Sequence, residues 1–223
     1  MPRRALVVLL ALGLTVGSGC TDDDREDDDS TTTVAVDSTP TTTGDGDDDL
    51  DAVLLTADDL PPGFEPSGAV DDTVTSFCAT HDAAAGLQAS GRAIVGFARA
   101  GGGASVIQLA FRFEEGGAAA FVAQAEAAMS ACSGVPDGSG TGLAFEYEPL
   151  SPAVAGALAT AGEARSGGFG TSVGSGSLTV EIAVAHQGDV ATLVAVLGLD
   201  EPREALDELA AAVFSTVAQR LTA

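Results

Sequence analysis

An abrupt change in composition near residue 52 limits where this chain can fold. Residues 21–51 carry thirteen acidic residues against one arginine, with two threonine runs and few apolar side chains. Such a segment cannot bury enough apolar surface to offset the conformational entropy that it would lose on ordering. From residue 52 to the end, Val, Leu, Ile and Phe recur without a second break. We therefore expect a disordered acidic tether over residues 20–51 and a single folded domain over residues 52–223.

Residues 1–19 have the organisation of a bacterial lipoprotein signal peptide. Arg3 and Arg4 precede an apolar run of about a dozen residues, and small residues lead into Cys20. At about 1.5 Å per residue this run spans roughly 18 Å, which is too short for a hydrocarbon core of about 30 Å. Cleavage would leave Cys20 as a lipidated N-terminus on the extracytoplasmic face of the membrane. Lipoproteins usually have an aliphatic residue where Gly17 stands, and an ordinary secretory signal is the alternative.

Net charge and residue usage indicate which partners are excluded and which kind of organism the protein comes from. The formal net charge is −24, and the nine basic residues are all arginine. Because no basic patch is present to neutralise phosphates, we expect no nucleic-acid partner. The absence of lysine, with much Ala, Gly, Val and Asp, is typical of GC-rich genomes and favours an actinobacterial source.

Two cysteines remain once Cys20 is assigned to lipid. In an oxidising extracytoplasmic compartment, Cys78 and Cys132 are expected to form a disulfide. A redox pair or a metal site is the alternative, but the spacing is not Cys-x-x-Cys and no histidine pattern at metal spacing accompanies the pair. We predict neither a metal nor a cofactor.

Alternating apolar residues predict an antiparallel sheet of about five or six strands. Glycine-rich or short turns join two pairs of strands into hairpins. In the second strand, Ile107, Leu109, Phe111 and Phe113 alternate with more polar positions and are expected to face the core. The predicted strands cover residues 92–99, 105–113, 143–148, 164–172, 178–186 and 190–197.

Helical periodicity predicts helices that pack on this sheet. An Ala-rich helix is expected over residues 116–132, a short one over 152–161, and an amphipathic C-terminal helix over 202–221. Thr56 and Asp59 favour a capped turn at the start of the domain. The predicted fold class is therefore α+β.

Catalytic patterns are present but incomplete. Residues 170–174 match the Gly-x-Ser-x-Gly motif around Ser172, yet a helix is required after the serine and a strand is expected here instead. His186 is the histidine downstream of it, and a glycine-rich hairpin loop is the preferred interpretation. Glu146 and Glu148 would share one strand face, but the chain has no tryptophan and one tyrosine for sugar stacking, so a solvated face explains them better.

Two acidic or histidine patterns resemble metal sites without completing them. The acidic run from residue 45 imitates the start of a calcium loop, but Leu50 stands where glycine is required and Thr56 where a bidentate glutamate is required. His81 with Asp82 lacks further ligands at metal spacing.

The order of features resembles the PknH-like extracellular sensor domains of mycobacterial kinases and related lipoproteins. The resemblance covers nearly all of residues 52–223 and implies an α+β domain with a cleft for an unidentified extracellular ligand and no catalysis. It is carried by residues 55–60, Cys78, Cys132, Phe121, residues 162–164, the hairpin over 180–196 and the C-terminal helix.

These observations predict a cell-surface lipoprotein with a non-catalytic, ligand-binding or sensor-like domain. Its expected partners are the membrane, through lipid on Cys20, and a small or lipidic ligand or an envelope protein. A structural or interaction component of the envelope is the alternative, followed by a secreted hydrolase.

Overall fold

The computed structural model describes residues 48–67, 76–77, 81–131, 146–161, 163–173 and 176–223. Cys20, Cys78 and Cys132 lie outside these residues, so the lipidation and the disulfide stay predictions. Within the described part of the chain, no helix has the length and hydropathy needed to cross a membrane.

The described residues form α-helices and strands in mixed order, with one 3₁₀ turn at Ala57–Asp59. The helices are α1 (Asp48–Asp51), α2 (Gly117–Ala131), α3 (Pro152–Ala161) and α4 (Arg203–Leu221). The strands are β1 (Phe64–Pro66), β2 (Ser76–Phe77), β3 (His81–Asp82), β4 (Ala89–Arg99), β5 (Ala104–Phe113), β6 (Glu146–Glu148), β7 (Glu163–Val173), β8 (Gly176–Gln187) and β9 (Val190–Leu199).

A seven-stranded antiparallel sheet lies at the centre of the domain, in the order β1-β4-β5-β9-β8-β7-β6. Five long strands carry it, and β1 and β6 add three residues each at its two edges. Strands β2 and β3 pair separately. The sheet and its helices confirm the predicted α+β class.

Helices cover both faces of the sheet, whereas the alternation in β5 predicts one core face. Leu109, Phe111 and Phe113 are buried against α2, as predicted. Val106 and Ala110 on the opposite face are fully buried as well, in the core that α1, α3 and α4 share. Alternation reports which residues share a face, but it does not tell whether the second face meets solvent or another helix.

Glycines at the turns join the long strands into hairpins. Gly101, Gly102 and Gly103 have φ between +89° and +92° between β4 and β5, and Gly188 has φ +61° between β8 and β9. Both predicted hairpins are confirmed. Strand β7 continues through Val173, so the described part of the glycine-rich segment around Ser172 is strand rather than the expected loop.

The C-terminal helix α4 has the predicted amphipathic pattern. The side chains that recur along one face are buried, and they close the core that lies on this side of the sheet. They are Leu206, Leu209, Val213, Val217 and Leu221.

The start of the domain packs against this helix and the sheet. Leu50, on the tether side of the expected boundary, is 0% exposed in the core. The predicted turn is present: the Thr56 N–H and hydroxyl donate to Oδ2 of Asp59, at 2.6 and 2.8 Å. Arg220 on α4 donates to the same oxygen at 2.6 Å and so ties the two ends of the domain together.

Candidate functional site

One ionisable side chain is fully buried in the described part of the chain, and it lies between the sheet and α4. Glu181, near the middle of β8, is 0% exposed. It shares its sheet face with Ala183 and Ala185, which belong to the apolar core beneath α3 and α4. Its neighbours in register are Val196 on β9 and Gly168 on β7. The glycine places no side chain over the carboxyl on that flank.

The first two turns of α4 supply the groups that meet this carboxyl. Nε of Arg203 lies 3.2 Å from Oε1 of Glu181 and 2.8 Å from Oδ1 of Asp207. Neither oxygen of Glu181 accepts a well-aligned hydrogen bond from the described residues, so the Arg203 guanidinium lies close to this carboxyl without a hydrogen bond to it. The Arg203 and Asp207 side chains are 46% and 38% exposed. Glu181, Arg203 and Asp207, hereafter the Glu181 cluster, thus connect a buried acid to the surface.

Burial and a neighbouring carboxylate keep Glu181 protonated near neutral pH. Burial, with Asp207 as hydrogen-bond acceptor and nearby negative charge, raises the pKa of Glu181 to about 8 despite the charge of Arg203. Burial also acts to raise the pKa of Asp207, but hydrogen bonds with Glu181 and Arg203 outweigh it and lower that pKa. The two acids therefore share one proton beside one guanidinium, and the cluster is close to neutral at pH 7.

A further carboxylate stands at the edge of the sheet beyond the cluster. Glu148 on β6 is exposed and is in register with Gly168, which itself lies opposite Glu181. Its negative charge helps to raise the pKa of Arg203, although burial acts in the opposite sense. As predicted, Glu146 and Glu148 are alternate residues of one strand.

A second buried polar group is fully satisfied and has a structural role. Gln108 accepts from the Leu55 N–H at 2.7 Å and donates to the Val53 carbonyl at 3.0 Å. It also donates at 3.1 Å to the hydroxyl of Thr192, which donates to the Leu109 carbonyl. Gln108 thus fixes the start of the domain to the sheet.

The serine and histidine of the hydrolase motif lie at opposite ends of one hairpin. Ser172 is in register with Ser177 near the turn, whereas His186 is in register with Glu163 at the far end of β7. The two positions are nine residue steps apart along the extended strand β8, roughly 30 Å. Strand β7 leads into β8 and not into a helix. This backbone does not bring Ser172 and His186 together as a catalytic pair.

Sequence reasoning did not single out Glu181 or Gln108. Each lies between two apolar residues in the middle of a strand, and this context is the one feature of the sequence that could have indicated it. Among the described residues, no group of three or more His, Cys, Asp or Glu side chains is arranged to hold a metal ion.

Comparison with known proteins identifies the fold. No family model matches the chain, and no curated protein matches it significantly. The crystal structure of the extracellular domain of PknH from Mycobacterium tuberculosis matches 76% of this chain and 94% of its own, with 15% identity and a TM-score of 0.52. An uncharacterised protein from Mycobacterium smegmatis covers 77% of this chain and 96% of its own at 15% identity, with a TM-score of 0.42. The domain described here therefore has the fold of the PknH extracellular domain, which the order of features in the sequence predicts.

Proposed function

We propose that this protein is a lipid-anchored, extracytoplasmic domain that binds a ligand without turning it over, in the manner of a sensor. The observation that carries the proposal is the fold shared with a kinase extracellular domain over nearly the whole of that domain. The lipoprotein signal over residues 1–19 and the acidic tether support the same location, since they would hold the domain just outside the membrane.

The Glu181 cluster is the favoured place for recognition. It joins a buried acid to two partly exposed charged side chains at the boundary between the sheet and α4. Binding sites commonly combine an apolar wall with a few convergent polar groups and an ionisable group of shifted pKa. The cluster offers the polar and ionisable part of such a site, and the apolar residue in register with Glu181 is Val196, which is buried in the core.

Native mass spectrometry of protein purified from its own host tests this proposal. We expect a bound mass beyond that of the lipidated polypeptide, and a rise in melting temperature with the matching envelope lipid or glycan. Replacing Cys20 by Ser removes the predicted lipid and identifies the part of the added mass that is anchor. A homogeneous apo mass, with no stabilisation across the panel, would contradict ligand binding.

Matched variants locate the site. Glu181→Gln is expected to weaken the stabilisation by the ligand, whereas Glu208→Gln, at an exposed position of α4, should leave it unchanged. Co-purification of a stoichiometric envelope protein instead of a ligand would favour the structural or interaction role. Conversion of the bound molecule into product would overturn the non-catalytic role.

A further inference from the structure

The beginning of α4 is attached to the sheet in a way that depends on one buried acid. Pro202 occupies the N-cap position and forms no side-chain cap, so the first turn lacks this usual stabilisation. Leu206 packs so closely over Gly198 on β9 that an added Cβ would lie 2.9 Å from Cδ1 of Leu206. Beside this contact, the Glu181 cluster supplies the polar link between the helix and β8.

We propose that the Glu181 cluster is a proton-dependent latch that holds the first turns of α4 on the sheet and releases them when Glu181 loses its proton. The protonated acid can donate to the Asp207 carboxylate while Arg203 bridges the two side chains. An ionised Glu181 would place a second negative charge beside Asp207, on a side chain that is itself 0% exposed. Charge repulsion and lost solvation would then both oppose the closed arrangement.

Among the side chains that the structure describes around Glu181, Arg203 is the one cation that offsets that charge. Helix α3, which also packs on β8, has no ionisable residue, and β9 places Val196 in register with Glu181. On β7, Gly168 is the residue opposite Glu181.

The nearby acidic residues do not offset the negative charge that an ionised Glu181 would add to the cluster. Glu148 on β6 adds negative charge close to Arg203. Glu201, just before α4, is paired with Arg99 on β4 at 2.8 Å. The cluster therefore depends on Arg203 as its one cation among these groups.

The pKa of Glu181, raised to about 8 by burial and by Asp207, sets the range in which the latch would act. The closed arrangement holds at neutral pH and weakens in mildly alkaline solution. Movement of the first turns would uncover apolar sheet surface around Val196 and Gly198 beneath Leu206. The latch is a property of the fold, and its test requires no ligand, so it can fail or succeed independently of the proposed function.

Hydrogen exchange of the mature protein, measured by mass spectrometry at pH 6.5 and pH 9 and corrected for intrinsic exchange, tests the latch. Peptides covering residues 200–210 are expected to lose protection by about tenfold or more between the two pH values, as a pKa shift of a few units implies. Helix α2, on the other face of the sheet, serves as the internal reference and should change much less.

Two variants distinguish the latch from a general loss of protection throughout the domain at alkaline pH. Glu181→Gln, which keeps the shape and stays neutral, should abolish the pH dependence over residues 200–210, whereas Glu208→Gln should retain it. Equal protection at both pH values in the unaltered protein would overturn the proposal. So would an equal loss in α2, or an unchanged pH dependence in Glu181→Gln. The measurement on the unaltered protein decides the question even where a variant fails to fold.

Discussion

At the scale of single residues, two polar side chains buried in the same core differ in how the cost of their burial is compensated. Gln108 forms hydrogen bonds with three partners and carries no charge, so its burial is compensated. Glu181 lies beside the Arg203 guanidinium and shares a proton with Asp207, and its burial is costly whenever it ionises. The first residue stabilises the fold at every pH, whereas the second makes stability depend on pH.

Replacing Glu181 by Gln is expected to change how stability varies with pH. The pKa of Glu181 is about 8 in the folded protein against 4.5 as its ordinary value, so the folded state binds the extra proton between these values. The contribution is complete below pH 4.5 and is lost as the pH rises through 8. Between pH 5 and pH 8.5 the unaltered protein should therefore lose unfolding free energy that Glu181→Gln does not lose. The difference between the two proteins should shift in favour of the variant by on the order of 2–4 kcal/mol.

Urea unfolding followed by circular dichroism at the two pH values measures this difference. Glu208→Gln provides the matched control, because it is the same substitution at an exposed position of α4. Parallel curves for Glu181→Gln and the unaltered protein would show that the Glu181 carboxyl has its ordinary pKa.

Gln108→Ala is expected to destabilise the domain at all pH values. It leaves the Leu55 N–H and the Val53 carbonyl without their partner in a buried place and creates a small cavity. Together these losses should cost about 2–4 kcal/mol of unfolding free energy. Gln187→Ala, at the exposed end of β8, should stay within about 0.5 kcal/mol of the unaltered protein in the same denaturation experiment. An equal effect of the two substitutions would contradict the role assigned to Gln108.

At the scale of elements, periodicity predicts the helices and hairpins well because these depend on neighbouring residues. Helix α3 has the expected bounds, and α2 buries Phe121, Ala125 and Met129 as expected. The alternation of residues in β5 does not predict that its second face is also covered. That burial depends on α1 and α4, which reach the sheet from the two ends of the domain.

Close packing between α4 and β9 requires a glycine at one position. A Cβ at residue 198 would lie 2.9 Å from Leu206 and 3.1 Å from Cβ of Glu201. Gly198→Ala should therefore lower the unfolding free energy by about 1–3 kcal/mol. Gly156→Ala on α3 is the matched control, because no atom lies within 4 Å of its added Cβ.

The control substitution should raise stability by up to about 1 kcal/mol, since alanine favours a helix over glycine. Chemical denaturation of both variants checks the pair. Equal effects would mean that α4 does not pack against β9 as closely as described.

At the scale of the whole molecule, the candidate site is harder to predict than the fold for a physical reason. Glu181 and Arg203 belong to different elements, and their meeting depends on how α4 crosses the sheet. Neither residue stands in a motif, and a glutamate between Val180 and Ile182 is typical of a strand with one exposed face. Glu181 is buried because helices cover both faces of the sheet, and the sequence of β8 alone does not indicate this.

The two ends of the folded domain meet, and this sets where the domain begins. Arg220 on α4 binds Asp59 at 2.6 Å and the Ala52 carbonyl at 3.3 Å, and Leu50 is fully buried in the core to which α4 contributes. Composition alone places Leu50 in the acidic tether, because its neighbours in sequence are aspartates. One apolar residue in a polar segment is a weak compositional feature, yet its burial extends the domain to α1.

Leu50→Ala should therefore behave as a core substitution even though it lies among acidic residues. Loss of a fully buried leucine is expected to lower the unfolding free energy by about 2–5 kcal/mol. Ala52→Ser, two residues on at an exposed position, should change it by less than about 0.5 kcal/mol. Urea denaturation of the full chain compares the two variants directly. If Leu50→Ala unfolds at the same urea concentration as the unaltered protein, then Leu50 adds nothing to the core and the folded domain begins at residue 52.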